Sequence, residues 1–385
     1  MSYQLTEEQE MLRQTVQRLA EEKVAPRAAE IDEKDEYPWD LKEMIAEQGL
    51  LGAGIPEGYG GTGAGLASVC LIVEEIAKVS ASASLIVAAQ ELGMMPILLC
   101  GSEEQKQKYL PGIADGDKIA AFALTEPNAG SDAGSVKTRA VREGDKYLLS
   151  GQKCFITNGS IADVFTVFAT TDPKSGLKGL SAFIVEKNYP GLSVGKREHK
   201  MGIRGSETTE IIFDNCPVPA ENLVGEEGQG FKIAMMTLDC TRPVIGAQAV
   251  GIAQGALDYA INYAKQRVQF GKPIASFQGI QFMLADMATK VEAARQLVYK
   301  AAFLIENAQK NNVPAREVSR FSSMAKLFAS DVAMQVTVDA VQVLGGYGYM
   351  KEYPLERMMR DAKITQIYEG TNQIQRVVIA KNLLD

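Results

Sequence analysis

The strongest constraint on the fold is that the spacing of apolar residues changes twice along the 385-residue chain. Up to about residue 120, stretches such as EEQEMLRQTVQRLAEEKV place apolar residues three and four apart, as on one face of a helix. Between about 121 and 230, short runs such as DVFTVFATT and GLSAFIVEK are separated by Gly, Pro, Asp and Asn, which is typical of strands joined by turns. We therefore predict an α+β, mostly α, protein with an N-terminal helical domain (1–120), a middle β domain (121–230) and a C-terminal helical domain (231–385).

The C-terminal region contains the longest amphipathic segment, GIQFMLADMATKVEAARQLVYKAAFLIENA. Its apolar stripe consists of Ile280, Leu284, Met287, Val291, Ala294, Val298, Ala301 and Ile305. A stripe of this length predicts a helix of a four-helix bundle that also packs against a neighbour, such as another subunit.

Composition and charge exclude several classes of protein. Lys and Arg total 40 against 48 Asp and Glu, and the net charge of −8 argues against nucleic acid as the main ligand. Apolar runs such as LGMMPILLC are shorter than a membrane span, so we expect no transmembrane segment. The acidic start, MSYQLTEEQEMLRQT, has the pattern of neither a secretory signal nor a transit peptide. We expect a bacterial cytoplasmic protein, or a mitochondrial matrix protein if the chain is a mature eukaryotic one.

Metal and nucleophilic triad chemistry are also disfavoured. The five cysteines are far apart and form no CxxC pair, so we expect neither a disulfide framework nor a metal site. The one histidine, His199, lies in the charged run GKREHK and is interpreted as a surface residue. Gly58, Gly60 and Gly63 match GxGxxG, but no strand pattern precedes them, so we predict a turn rather than a dinucleotide loop. The chemistry must then come from carboxylates, Ser, Thr and Arg, or a bound organic cofactor.

Five motifs follow one another in an informative order. They are ALTEPNAGSDAGS (123–135), KMGIRGSET (200–208), RVQFGKPI (267–274), QVLGGYGYMKEYPLERMMRDAKI (342–364) and IYEGTNQIQR (367–376). Together they resemble the acyl-CoA dehydrogenase family, and its short- and medium-chain, butyryl-CoA dehydrogenase-like members in particular. The resemblance covers the whole chain. It implies an FAD flavoprotein of fatty acid β-oxidation with helical, β and helical domains, assembled as a homotetramer.

The resemblance implies FAD contacts in the β domain at Phe122, Leu124, Thr125, Gly130, Ser131, Phe155 and Thr157, and after it at Thr371 and Gln373. Phe155 is expected to cover one face of the flavin and Thr157 to bond near its N5 atom. Small and hydroxyl-bearing residues can make many short hydrogen bonds to a flavin and its pyrophosphate. Ser131 is also expected near the CoA chain. Considered alone, these residues are typical of turns.

A second set of FAD contacts is implied for the ADP half of a cofactor bound to a neighbouring subunit. These residues are Arg267, Phe270, Gln278, Gln342, Gly345 and Gly346. Arg267 offers a bidentate donor to a diphosphate, and Phe270 offers a packing surface. Without the resemblance, Arg267 and the glycine pair would be read as an exposed arginine and a helix end.

Glu369 is the candidate catalytic residue. The resemblance makes it the base that removes the α-proton of the thioester, while hydride passes from the β-carbon to flavin N5 and a trans-2-enoyl-CoA forms. A carboxylate in an apolar pocket has a raised pKa, which suits this task. Gly370 allows a turn there and is an expected substrate contact, because glycine lets the substrate carbonyl approach the main chain. The backbone N–H of Glu369 is expected to bind the thioester carbonyl. Asp239 and Arg242 are implied CoA contacts, although they also match an intrahelical pair.

The acyl group is left open by the sequence. Leu85, Ala88, Ala89 and Leu92 share the helical face that shapes the acyl pocket in this family, and Glu91 lies at its edge. An inward Glu91 would favour a cyclic or polar acyl group, since a buried acid needs a partner, whereas an outward one is a surface acid. Electron-transferring flavoprotein is the implied partner. The alternatives are an oxygen-using oxidase, an enoyl-CoA reductase, and a flavin- or CoA-binding scaffold without turnover.

Overall fold

The computed structural model describes residues 4–308 and 310–384, and it begins and ends with helices. The first six are α1 (Glu7–Leu19), α2 (Ala28–Lys34), α3 (Trp39–Glu47), α4 (Leu66–Ala77), α5 (Ala81–Cys100) and α6 (Glu103–Ala114). The last five are α7 (Gly230–Gln266), α8 (Gln278–Glu306), α9 (Ala315–Leu344), α10 (Leu355–Thr365) and α11 (Asn372–Leu384). Capping boxes start α1 at Thr6 and α6 at Ser102, where each hydroxyl accepts the backbone N–H three residues on.

The strands lie between α6 and α7. They are β1 (Ala120–Ala123), β2 (Arg139–Glu143), β3 (Lys146–Thr157), β4 (Val164–Thr170), β5 (Leu180–Glu186), β6 (Leu192–Arg197), β7 (Thr208–Pro219) and β8 (Leu223–Val224). They form one sheet in the order β6-β7-β3-β2-β4-β5-β8, with β1 parallel to β4. The predicted class, helices before and after a β domain, is confirmed; the domain boundaries themselves stay a prediction.

Three apolar clusters hold these parts together. One lies among the helices and includes Val16, Val291 and Val336; another fills the sheet around Phe183 and Ile211. The remaining cluster joins helices α5, α6 and α7 to strands β1, β4 and β5, with residues such as Met94, Tyr109 and Phe168. Continuous apolar packing between helices and sheet fixes the sheet loops relative to α7. This matters because the candidate site draws residues from both.

The predicted stripe of α8 faces the helical core as expected. Its central residues Met287, Val291, Ala294, Val298 and Ala301 are buried, and Ile280, Leu284 and Ile305 at its ends pack against the same core while partly exposed. Helix α9 lies between α7, α8, α10 and α11 and contacts all four. Helix α9 is therefore the central element of the C-terminal bundle.

A short hairpin projects after α7. Its strands are β9 (Val268–Gln269) and β10 (Lys272–Pro273), and the two-residue turn between them is Phe270-Gly271. Both turn residues have positive φ, 53° and 78°, which matches the twist that favours tight hairpins. Phe270 is 92% exposed at the tip. The sequence places this aromatic side chain where only another molecule can cover it.

The expectation about membrane spans needs revision. Three helical stretches, Ala81–Cys100, Gly230–Gln266 and Ala315–Tyr349, are long and apolar enough to cross a membrane by length and composition alone. Uninterrupted apolar runs underestimate the length of such stretches, because Gly, Ala and Ser extend them without adding charge. Within the protein, 78%, 72% and 50% of their most apolar windows are buried.

Two smaller predictions are confirmed. The GxGxxG stretch overlaps a 3₁₀ turn, Glu57–Tyr59, which ends at Gly60 in a left-handed conformation, and from residue 4 onwards no strand precedes it. His199 has 87% of its side chain exposed, and its Nδ1 atom lies 3.8 Å from a carboxylate oxygen of Asp35. Over residues 4–308 and 310–384, no three His, Cys, Asp or Glu side chains are grouped so that they could hold a metal ion.

Candidate active site

The candidate base lies in a strained turn between two helices. Helix α10 ends at Thr365, α11 begins at Asn372, and Glu369 and Gly370 between them have φ of 52° and 92°. The left-handed conformation costs a glutamate roughly 1–2 kcal/mol, whereas glycine adopts it freely. A Cβ at position 370 would also lie 2.7 Å from the side-chain nitrogen, Nε2, of Gln375. Strain of this kind persists only where neighbouring groups hold the backbone in place.

Three side chains hold the carbonyl groups of this turn. Arg242 Nε donates to Glu369 O at 3.4 Å, and Gln375 Nε2 donates to the same oxygen at 3.2 Å. Gln375 Nε2 also donates to Gly370 O at 2.9 Å, and Lys326 Nζ donates to that oxygen at 2.7 Å. Both carbonyl groups are thereby turned into the protein, towards α7, α9 and α11.

On the opposite side of the turn, three backbone N–H groups of the described chain are free to donate hydrogen bonds to a ligand. Within the described residues, no acceptor is bonded to the backbone N–H of Glu369, Gly370 or Thr371. Because C=O and the next N–H of a trans peptide point in opposite directions, holding the carbonyls inward directs the Gly370 and Thr371 N–H groups away from them. Thr371 Oγ1 accepts the N–H of Ile374 at 3.4 Å, so Thr371 is the N-cap of α11.

The Glu369 carboxyl group is set for proton exchange near neutral pH. Thr241 Oγ1, on α7, donates to Glu369 Oε2 at 2.7 Å. Burial raises the pKa of Glu369 to about 7, against the opposing effects of the Thr241 hydrogen bond and the positive charges of Arg242 and Lys326. A carboxyl group with this pKa is a much stronger base than an ordinary surface glutamate.

Asp239 and Arg242 form the intrahelical pair that the sequence allowed, with Arg242 Nη1 2.9 Å from Asp239 Oδ1. Pro243 has no N–H to donate to the carbonyl of Asp239, and Ser322 Oγ from α9 donates to it instead at 2.7 Å. The guanidinium of Arg242 is buried and, besides Asp239, contacts Ser323 and the Glu369 carbonyl. The structure therefore connects Arg242 to the turn of Glu369, and its expected CoA contact stays a prediction, as does that of Asp239.

The expected flavin contacts of the β domain lie on two adjacent segments. Thr125 follows β1, and Phe155 and Thr157 end β3; the Cys154 N–H donates to Thr125 O at 3.0 Å and joins the two segments. Phe155 is 64% exposed and has φ of 58°, so its ring projects from the surface. Leu124 on the neighbouring segment is buried. An exposed aromatic ring beside a partly buried threonine hydroxyl can flank a flat ligand.

A buried ion pair fixes these two segments to each other. Lys153 Nζ lies 2.8 Å from Glu126 Oε1 and also donates to Leu124 O at 3.0 Å, and both charged side chains are buried. Glu126 further accepts both the N–H and the hydroxyl of Thr138. The pKa of Glu126 is lowered because the charge of Lys153 and these hydrogen bonds outweigh its burial. The pair therefore remains charged inside the fold.

The remaining loop residues are open to solvent. Gly130 and Ser131 are exposed, and a Cβ added at Gly130 would meet nothing within 4 Å. Phe122 on β1 is partly exposed and packs against Phe168 with a ring-centroid distance of 4.9 Å. This loop consequently has room for a ligand along its length.

The second group of expected cofactor contacts surrounds a separate cavity of about 450 Å³. Arg267, Gln342, Gly345 and Gly346 line it, and the guanidinium of Arg267 lies 5.2 Å from the ring centre of Tyr347. Within the described chain, no hydrogen bond, ion pair or ring contact joins this cavity to the β-domain contacts. The two groups of residues are therefore separate in one copy of the protein.

Three expected contacts lie outside that cavity lining. Phe270 packs edge-on against Phe277 at 6.0 Å but stays 92% exposed. Gln278 is the exposed first residue of α8, and Gln373 is exposed in the first turn of α11. Their expected contacts to FAD stay predictions.

Glu91 points inward. The side chain is 4% exposed, and a Cβ on Gly54 would lie 2.6 Å from both of its oxygens, so the carboxyl group packs directly on that backbone. No hydrogen bond or ion pair joins it to another described residue, and burial raises its pKa to about 8. Glu91 is therefore protonated at neutral pH, and the alternative of a surface acid is wrong.

Three functional residues were missed by the sequence argument. Thr241 directly precedes Arg242, an expected CoA contact, and a hydroxyl beside that arginine was a usable signal. Lys326 and Gln375 resemble ordinary polar residues of helices α9 and α11, and nothing in their local pattern marks them as buried. Only the contact between distant segments reveals their role.

Comparison with known proteins identifies this arrangement. The family models for the acyl-CoA dehydrogenase N-terminal, middle and C-terminal domains match residues 6–117, 121–216 and 228–384. The chain belongs to the acyl-CoA dehydrogenase family. It is an oxidoreductase, and the resemblance inferred from the five motifs is confirmed.

Relatives with several activities are about equally similar. An acyl-CoA dehydrogenase of Bacillus subtilis is 54% identical over 381 residues, 99% of each chain. A cyclohex-1-ene-1-carbonyl-CoA dehydrogenase of Geobacter metallireducens is also 54% identical over 381 residues, with the same coverage. An NADH-dependent acryloyl-CoA reductase of Anaerotignum propionicum is 52% identical over 386 residues, 100% of this chain and 96% of the other.

Two solved structures superpose along their whole length. Butyryl-CoA dehydrogenase of Megasphaera elsdenii has a TM-score of 0.96 at 48% identity, covering 100% of both chains. A chain in the structure described as the electron transferring flavoprotein of Acidaminococcus fermentans also has a TM-score of 0.96, at 52% identity and 100% coverage of both.

FAD is the cofactor of this family, and the residues of this chain fit it. The exposed ring of Phe155 offers a flat apolar surface, and the space beside Gly130 leaves the loop backbone accessible. The backbone and hydroxyl groups of Thr125, Ser131 and Thr157 offer the hydrogen bonds that a flavin and a pyrophosphate require.

Proposed function

We propose that this enzyme removes two hydrogens from the α- and β-carbons of an acyl-CoA thioester and releases a trans-2-enoyl-CoA. Glu369 takes the α-proton on its carboxylate. FAD, when bound, supplies the acceptor for the β-hydride, and an electron-transferring flavoprotein then takes the electrons. The observation that carries the proposal is Glu369 itself, a carboxyl group with a pKa of about 7 held in a left-handed turn.

The surroundings of Glu369 support each part of this role. Thr241 orients one carboxyl oxygen, and the bonds from Arg242 and Gln375 hold the Glu369 carbonyl inward. The Glu369 N–H has no acceptor among the described residues and is available for the thioester carbonyl. A hydrogen bond to that carbonyl stabilises the enolate charge that develops as the α-proton leaves.

We also propose that the active enzyme is a homotetramer. The hairpin tip carries an almost fully exposed phenylalanine, and no described β-domain residue lines the cavity formed by Arg267 and Gln342. A second copy that places its own cofactor against this cavity would cover both features.

The test is anaerobic bleaching of the flavin absorbance by short, medium, branched and alicyclic acyl-CoAs. Wild type should bleach with one class, and Glu369→Gln should lose at least about 10³-fold in rate because it lacks the base. Glu352→Gln, a change at an exposed glutamate of the same region, should behave as wild type. Bleaching that survives in Glu369→Gln would place the base elsewhere and refute the assignment.

A second candidate is enoyl-CoA reduction by the same site. It is favoured by the 52% identity to an acryloyl-CoA reductase and by microscopic reversibility, since Glu369 would return the α-proton. Steady-state assays separate the two activities: enoyl-CoA-dependent oxidation of NADH for the reductase, and acyl-CoA-dependent reduction of an electron-transferring flavoprotein for the dehydrogenase. Oxygen consumption in the same assays identifies an oxidase.

A further inference from the structure

Lys326 on α9 is a fully buried lysine whose amino group has specific hydrogen-bond partners. Its side chain is 0% exposed, and within the described residues it forms no ion pair at hydrogen-bond distance. Its Nζ donates to Gly370 O at 2.7 Å and to Asn372 Oδ1 at 3.0 Å. Burying an ammonium group without a direct counter-ion is costly, so its retention in this position calls for a reason.

The bonds of Lys326 reach both ends of one short segment. Gly370 belongs to the strained turn, and Asn372 is the first residue of α11. Asn372 Nδ2 is itself anchored to Ser330 Oγ at 2.9 Å and to Asp331 Oδ1 at 2.7 Å, both on α9. Lys326 therefore ties the residue after Glu369 to a rigid helix.

Several charged groups surround this ammonium. The pKa of Lys326 is lowered to about 7, because burial and the charge of Arg242 on α7 together outweigh the opposing charges of Glu369 and Asp331. Glu369 in turn faces Thr241, Arg242 and Lys326. Tyr368 lies next to Glu369 and Asp239 next to Arg242, and Arg376 on α11 pairs with Asp331 at 3.0 Å. Positive charge at Lys326 favours the ionised form of Glu369.

We propose that Lys326 is a positioning residue for Glu369. Lys326 keeps the turn of Glu369 and Gly370 in its left-handed form and stabilises the Glu369 carboxylate through its positive charge. This inference rests on the proposed function of Glu369. The Lys326 ammonium touches neither of the Glu369 carboxyl oxygens; it acts through the Gly370 carbonyl and through its charge. A merely structural role, as an anchor for α11, is the competing explanation.

The test compares Lys326→Met and Lys326→Arg with Lys351→Met, a change at an exposed lysine. For each holoenzyme, the pH dependence of kcat and KM, the bound FAD and the melting temperature are measured. Lys326→Met should lower kcat about 10- to 100-fold with little change in KM. The reason is that the substitution displaces the Glu369 carboxyl group but leaves the binding of substrate unchanged. The acidic limb of its pH profile should move up by about one pH unit.

Lys326→Arg keeps the charge but not the shape of the donor. This variant should lower kcat but leave the acidic limb of the pH profile at the pH of wild type. If Lys326→Met fails to fold, Lys326→Arg still tests whether Lys326 positions Glu369. A lower melting temperature with an unchanged pH profile in Lys326→Met, or equal movement of the limb in both variants, would overturn the inference.

The proposed function fails separately, in the Glu369→Gln experiment. If Glu369→Gln is inactive and Lys326→Met has wild-type kcat and pH profile, only the role of Lys326 is wrong. If Glu369→Gln still bleaches with the acyl-CoA that reduces wild type, the base itself is wrong, whatever Lys326→Met shows.

Discussion

The hydrogen bond from Thr241 to Glu369 gives the sharpest prediction. Thr241→Val keeps the shape of a side chain that is 1% exposed but removes the hydroxyl 2.7 Å from Glu369 Oε2. That hydroxyl donates to the ionised carboxyl group, so its loss disfavours the carboxylate. A hydrogen bond to a charged group contributes about 1.5 kcal/mol or more, which corresponds to about one pH unit in a pKa.

The kinetic consequence follows from the present pKa of about 7. At pH 7, the ionised fraction of Glu369 would fall from about one half to about one tenth, so the rate should drop about fivefold. By pH 9 both enzymes are at least about 90% ionised, and the rates should be nearly equal. The defect of Thr241→Val should therefore disappear as the pH rises.

The assay is the single-turnover rate of anaerobic flavin reduction at saturating acyl-CoA, from pH 5.5 to about 9.5. Thr241→Ser is the matched control, because it retains the hydroxyl and should keep the acidic limb of wild type. A loss of rate in Thr241→Val that is the same at every pH would refute the reasoning, since it would mean that the hydroxyl positions Glu369 without affecting its ionisation.

Two further predictions concern buried charges. Burial raises the pKa of Glu91 from 4.5 to about 8, so between these pH values the folded state keeps a proton that the unfolded state has lost. The free energy of unfolding therefore falls as the pH rises through that interval. Glu91→Gln should therefore melt above wild type by a margin that widens from pH 5 to about 8; a constant margin would contradict this. Lys153→Met leaves Glu126 buried without its cation, which should cost about 3–5 kcal/mol and release FAD on gel filtration. Lys174→Met, at an exposed lysine, is its control, and unchanged FAD retention in Lys153→Met would count against the role of the pair.

Periodicity was sufficient for the architecture. The stripe of α8 and the short runs of the β domain are local patterns, and local patterns survive in the sequence because each element must bury one face. The turn at Glu369 was also accessible, since glycine after an acid and threonine before a helix both have local conformational meanings. These features need no knowledge of what the chain contacts elsewhere.

The buried charges were not accessible in this way. Lys153 and Lys326 are read as solvent-facing from sequence because lysine is almost never fully buried unless paired. Their partners, Glu126 and the Gly370 carbonyl, lie 27 and 44 residues away along the chain. Glu91 is the opposite case, because its helical position left inward and outward orientations open and packing against Gly54 decided between them.

Helix α7 also sets the distance between the Glu369 site and the projecting hairpin. It contributes Thr241 to the carboxyl group of Glu369 and ends at Gln266, immediately before the projecting hairpin. At 1.5 Å per residue, the two points are separated by about 37 Å along the helix axis. Arg267 and Phe270 are thus held far from the Glu369 carboxyl group of their own chain. Dilution of the proposed tetramer to single chains would leave the Glu369 site of each chain intact but would remove the contacts of Arg267 and Phe270 with another copy. Cofactor retention should therefore depend on protein concentration.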